Sequence, residues 1–186
     1  MKNLSFFVVL TAFALISFSF KDKTPATKKS KASKALAFPV AGKKSKIGGF
    51  WGDYRNGGRS HKGIDIFAKK GTPVVAISDG VVVDRGQGGR GGKVLWLQST
   101  DHPWRAYYAH LDKQLVKDGQ YVRKGQVIGT VGKTGNAATT PSHLHFGIYK
   151  SGMRPVNPLP YVKKATKVAA PKYTKSKKST PKKSVR

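Results

Sequence analysis

The sequence predicts an all-β domain, a sandwich or barrel, with disordered basic segments on either side. Three observations lead there. Across residues 47–162, short apolar runs are punctuated by Gly, Pro, Asn and Asp. No stretch sustains the i, i+3, i+4 apolar spacing of a substantial helix. The runs also recur at the spacing expected of a sandwich or barrel.

Taken in order, residues 1–20 read as a secretory signal peptide. Lys2 gives a positive start, residues 4–20 are apolar apart from small hydroxyl side chains, and Ser17-Phe18-Ser19 offers small residues for cleavage. The rival reading is a retained membrane anchor, although the run is slightly shorter than the ~20 residues that span a bilayer. Residues 21–46 carry nine lysines against Asp22, and residues 163–186 carry nine lysines and an arginine with no acid. Both segments mix Lys with Ser, Thr, Ala and Pro and are poor in the aromatic and branched side chains whose burial offsets the entropy of ordering a chain, so disorder is expected.

Within the domain, strands are expected at 64–67, 73–78, 80–85, 93–98, 104–110, 126–131 and 143–149, with Asp79-Gly80 as a tight hairpin turn between two of them. The segment Gly86-Gln87-Gly88-Gly89-Arg90-Gly91-Gly92 reads as a flexible hairpin connection. It lacks the Lys-Ser/Thr ending and the following helix of a phosphate-binding loop.

Composition excludes several chemistries. Without cysteine there is no disulfide, thiolate zinc site, cysteine nucleophile or lipidated cysteine anchor. All eight acidic residues are Asp, which removes the HExxH type of zinc protease with its Glu base. The net charge of +28 suggests nucleic acid at first. Much of it lies in the flanks, however, and behind a secretion signal an anionic envelope polymer such as teichoic acid, lipopolysaccharide or anionic lipid is the better partner.

A metal site in this chain must therefore use His and Asp. His61 and Asp65, four positions apart, can supply two zinc ligands from one turn-and-strand segment. In Ser142-His143-Leu144-His145-Phe146-Gly147-Ile148, strand alternation puts His143, His145 and Gly147 on one face and Leu144, Phe146 and Ile148 in the core. A hydrolytic zinc site needs three protein ligands and one open position. His61, Asp65 and either His143 or His145 make that number. The remaining histidine of the pair and His110 are left for proton transfer, and alternation places Tyr108 on the same face as His110. Tyr54, near the Gly57-Gly58-Arg59 loop, is a further candidate for substrate contact, whereas His102 sits in an Asp-His-Pro turn and is left out.

These residues resemble the lysostaphin/LytM-type zinc metallopeptidases that cleave peptidoglycan, over about residues 49–158. His61-Lys62-Gly63-Ile64-Asp65 is similar to the family's HxGxD, Tyr108-Ala109-His110-Leu111 to its YxHL and His143-Leu144-His145-Phe146 to its HLHF. The linking segments Gly71-Thr72-Pro73-Val74, Ser78-Asp79-Gly80-Val81 and Thr134-Gly135 agree as well. The resemblance implies Zn2+ held by His61, Asp65 and His145, with His110 and His143 as catalytic histidines acting on zinc-bound water. It also implies a small antiparallel β-sheet or sandwich core of the duplicated hybrid motif type, with the site in a groove lined by loops. Peptidoglycan crosslinks or stem peptides would be the substrate. Some relatives have lost metal ligands and act as non-catalytic activators of wall hydrolases, whereas this sequence keeps every expected ligand. Thr139-Thr140-Pro141-Ser142 departs from the shorter glycine-proline approach of many relatives.

Overall fold

The computed structural model describes residues 35–170, and every expected strand segment carries β structure there. The strands are β1 (Lys46–Gly49), β2 (Tyr54–Arg55), β3 (Arg59–Ser60), β4 (Ile64–Phe67), β5 (Pro73–Val75), β6 (Gly80–Asp84), β7 (Gln87–Gly88) and β8 (Gly92–Lys93), followed by β9 (Leu95–Ser99), β10 (Arg105–Ala109), β11 (Leu111–Gln114), β12 (Tyr121–Val122), β13 (Val127–Val131), β14 (His143–Lys150) and β15 (Arg154–Val156). Among the described residues the only α-helix is the short Leu159–Lys163.

A large antiparallel sheet runs β1-β4-β14-β10-β9-β6-β12, with β15 also paired to β14, and a smaller one runs β11-β13-β5. The glycine-rich connection forms the small β7–β8 hairpin. The core-facing side of the large sheet follows strand alternation. Leu144, Phe146 and Ile148 of β14, Ile64 and Ile66 of β4, Leu95 and Leu97 of β9, and Ala106 and Tyr108 of β10 are all buried. They share one core with Val74, Leu111, Ile128 and Val131 around the small sheet. Each large side chain so buried contributes roughly 1.5–3 kcal/mol. A one-residue slip of β14 would turn that whole set outward, so the register is firmly specified.

Two expectations are corrected. Asp79-Gly80 does not close a hairpin, because β5 belongs to the small sheet and β6 to the large one. It is a crossover, fastened where Asp79 Oδ1 accepts the Lys124 N–H at 2.6 Å. Glycine is required at the second position because a Cβ on Gly80 would lie 2.3 Å from the Gln98 carbonyl oxygen.

The domain also reaches beyond 47–162. Phe38 and Val40 enter the main core, and Ala37 and Ala41 pack beside Val75. The two flanks run alongside each other: Phe38 N–H donates to Thr166 O at 2.9 Å, Thr166 N–H to Leu36 O at 2.8 Å, and Gly42 N–H to Val168 O at 2.9 Å. A few apolar side chains within lysine-rich sequence suffice to dock these stretches. The signal or anchor segment, residues 21–34 and residues 171–186 lie outside the described residues.

Candidate metal centre

Sheet register assembles the site. Across β4, β14 and β10, Asp65 lies opposite His145 and His145 opposite Ala109. Residues directly opposite on neighbouring strands point to the same face. Asp65 and His145 therefore emerge side by side on the face away from the core. His61 approaches from the segment before β4, held by its own N–H to Asp53 O at 2.9 Å. Gly63 lets it do so, since a Cβ there would sit 2.6 Å from His145 Cε1.

Three donor atoms converge. His61 Nε2 and His145 Nδ1 are 2.9 Å apart, His145 Nδ1 and Asp65 Oδ1 3.0 Å, and His61 Nε2 and Asp65 Oδ1 3.2 Å. Two ligand atoms of a tetrahedral zinc, each at ~2.0–2.1 Å, are about 3.3 Å apart. The triangle is thus close to one face of that tetrahedron. The donor chemistry fits as well: two imidazole nitrogens and a carboxylate oxygen are ligand types that Zn2+ takes. On its outer side His61 Nδ1 lies 2.7 Å from both Phe50 O and Arg55 Nη2. Arg55 Nη2 donates to Asp65 Oδ2 at 2.6 Å, which leaves Oδ1 aimed at the centre. Sequence reasoning passed over Arg55.

The other two histidines are oriented alike. His143 Nδ1 donates to Pro141 O at 2.8 Å and His110 Nδ1 to Thr134 O at 2.9 Å, so in each ring Nε2 is the nitrogen not engaged by a backbone carbonyl. His143 Nε2 lies 3.9 Å from Asp65 Oδ1, and the His110 ring centroid is 5.0 Å from that of His143. Burial, with smaller contributions from His143 and His145, pushes the His110 imidazole down to about 4. His145 is lowered too, chiefly by burial, although Asp65 opposes this. Burial would raise the Asp65 carboxyl, but hydrogen bonds to His145 and His61 outweigh it and hold the group well below the usual carboxylate range. At neutral pH the site holds a carboxylate, and the burial of His110 and His145 favours their neutral imidazoles.

These side chains line a cleft of about 920 Å³, with Tyr54 at its edge, 80% exposed. Tyr108 is not in it. Its ring is wholly buried, and its hydroxyl accepts the Ile77 N–H at 3.0 Å. The expected alternation breaks at His110, whose φ of 62° is left-handed. Histidine is among the side chains enriched there, yet the conformation is costly and occurs where surroundings enforce it. The turn brings the His110 ring to the face that carries Tyr107, and Tyr107 and Tyr149 line the cleft instead. Tyr107 stands opposite Gly147 in β14, so pairing with the His145 face was the signal that could have found it.

The sequence profile of peptidase family M23 matches residues 59–158, more than half of the chain. The chain belongs to this family. Within M23 it is similar to the L-Ala–D-Glu endopeptidase of Bacillus subtilis, 41% identical over 113 residues that make up 56% of this chain and 34% of the relative. It is also 43% identical to the murein hydrolase activator NlpD of Salmonella dublin, over 55% of this chain and 26% of that one. The chain thus spans between about a quarter and about a third of the length of these relatives. Among solved structures, the catalytic domain of the antimicrobial peptidase lysostaphin from Staphylococcus simulans superposes with a TM-score of 0.58 at 41% identity, covering 63% of this chain and 92% of that domain. The M23 fold of the lysostaphin/LytM type accounts for the β-rich architecture.

Proposed function

We propose that the chain is a zinc-dependent endopeptidase that hydrolyses peptide bonds in peptidoglycan crosslinks or stem peptides. The observation that carries this reading is the convergence of His61 Nε2, Asp65 Oδ1 and His145 Nδ1 within 3.2 Å of one another, beside two histidines whose Nδ1 atoms are tied to backbone carbonyls. His61, Asp65 and His145 would hold the ion. When bound, zinc supplies a Lewis acid that polarises a carbonyl and lowers the pKa of water.

The chain's own groups supply the rest. His110, kept neutral by burial, takes up a proton from the attacking water and passes it to the leaving amine. His143, fixed through Nδ1 by Pro141 O, donates from Nε2 toward the oxygen on which charge develops once that nitrogen carries a proton. Tyr54 and Tyr107 flank the bound peptide. The lysine-rich flanks attach the protein to anionic envelope polymers, and the similarity to wall-acting relatives supports a location in the secreted or periplasmic envelope space.

The similarity to a murein hydrolase activator supports a second reading, a wall-binding protein that stimulates other hydrolases without catalysis. The complete ligand set favours the enzyme. Incubation of the zinc-loaded protein with peptidoglycan should release new amino termini, with EDTA and His143→Ala each abolishing release. Intact biological activity in His110→Ala and His143→Ala, with no release from walls of several crosslink types, would establish the activator reading instead.

A further inference from the structure

The glycine-rich β7–β8 hairpin supplies none of the candidate ligands, yet it is tied to the centre. Gly91 O accepts the His110 N–H at 2.8 Å, and Arg90 O accepts the Asn136 N–H at 3.0 Å. Those bonds hold Arg90 at the cleft on the His110 side. On the His61 side stands Lys62, its Nζ 5.6 Å from the Trp51 ring centroid. Arg55 and Arg59 line the cleft as well, while Asp65 is the only acid among its lining residues. Asp65 is already paired with Arg55, and no salt bridge among the described residues uses Lys62 or Arg90.

Uncompensated positive charge beside a cation site weakens that site through like-charge repulsion. The arrangement is favourable only if the working complex brings in negative charge. We infer that the cleft takes an anionic peptide, with free carboxylates on the residues flanking the scissile bond, and that Arg90 and Lys62 are the specificity-determining pair. The inference rests on the endopeptidase reading and narrows its substrate. A stem peptide with free α-carboxylates gives both cations a partner, whereas a neutral bridge such as oligoglycine gives them none. Arg90 can grip a carboxylate with two parallel N–H donors, and Lys62 acts as a point charge.

The test uses the zinc-loaded full chain and two fluorescent stem peptides of identical sequence, one with free carboxylates and one with carboxamides. Binding is read by anisotropy, and cleavage by mass spectrometry of the same samples. The carboxylate form should bind about fivefold tighter or more, as expected from two partly exposed ion pairs. The Arg90→Gln/Lys62→Gln double variant should shrink the preference to within about twofold and leave zinc content unchanged. Equal binding of the two peptides by the wild type overturns the inference. So does a preference that survives in the double variant, since the lysine-rich flanks would then be its source. Preference without cleavage counts against the endopeptidase reading alone, and cleavage without preference against the anionic-peptide inference alone.

Discussion

Gly63 passes so close to His145 that a Cβ on the glycine would lie 2.6 Å from ring carbon Cε1 and 2.7 Å from Nε2. The glycine of the His61–Asp65 segment is therefore a spacer for a ligand contributed by another strand. A Cβ there would also lie 2.6 Å from Phe146 O, so Gly63→Ala should displace the His145 ring together with the adjoining β14 backbone, cutting zinc affinity by about tenfold or more while the β-rich circular dichroism persists. Zinc titration against a competing chelator reads the change. Unaltered affinity would overturn the spacer role of Gly63.

His110 combines strain with chemistry, and substitution separates the two. Glycine adopts a φ of 62° freely, whereas alanine does not. His110→Gly should thus be more stable than His110→Ala by roughly 1 kcal/mol. Both should lose about a hundredfold or more of peptidase activity, the scale of a general acid–base contribution. Denaturant melts and turnover on one peptide provide the comparison. Equal stability would remove the strain argument.

Acid should destabilise the metal-free protein well above the usual carboxylate range. The folded His110 imidazole titrates at about 4, against 6.5 ordinarily, so between those values the unfolded chain binds more protons. Its contribution is complete above pH 6.5 and is lost as pH falls toward 4. Asp65, shifted downward, acts in the same direction at still lower pH. Between pH 7 and pH 5 the loss from His110 should be about 1–2 kcal/mol, a shift of several degrees in thermal midpoint, and smaller in His110→Gly. A midpoint that is flat or rises toward pH 5 would contradict this.

Two adjacent tyrosines should behave in opposite ways. Tyr108→Phe strands the buried Ile77 N–H and should cost about 1–3 kcal/mol of stability, with little effect on turnover per folded molecule. Tyr107→Phe touches the cleft wall and should lower turnover with a stability change within about 0.5 kcal/mol. Thermal melts paired with peptide hydrolysis distinguish them, and the reverse pattern would restore Tyr108 to the site.

Much of the centre was legible because β14 is a regular strand. Alternation along it correctly separated His143 and His145 from Leu144, Phe146 and Ile148. The same rule failed for Tyr108 and His110, because one left-handed residue resets the facing of everything beyond it. Arg55 escaped notice for another reason. Its role depends on the β2–β3 hairpin folding over Asp65, a tertiary event without local periodicity. Composition hid the docking of Phe38 and Val40, since two apolar side chains do not change the average character of a lysine-rich segment.

Anomalous diffraction at the zinc absorption edge, from crystals equilibrated with zinc, is the decisive check on the metal centre. One strong peak is expected about 2.0–2.2 Å from His61 Nε2, Asp65 Oδ1 and His145 Nδ1, absent in His145→Ala. No peak there at saturating zinc, or a peak that engages other side chains, would contradict this ligand set.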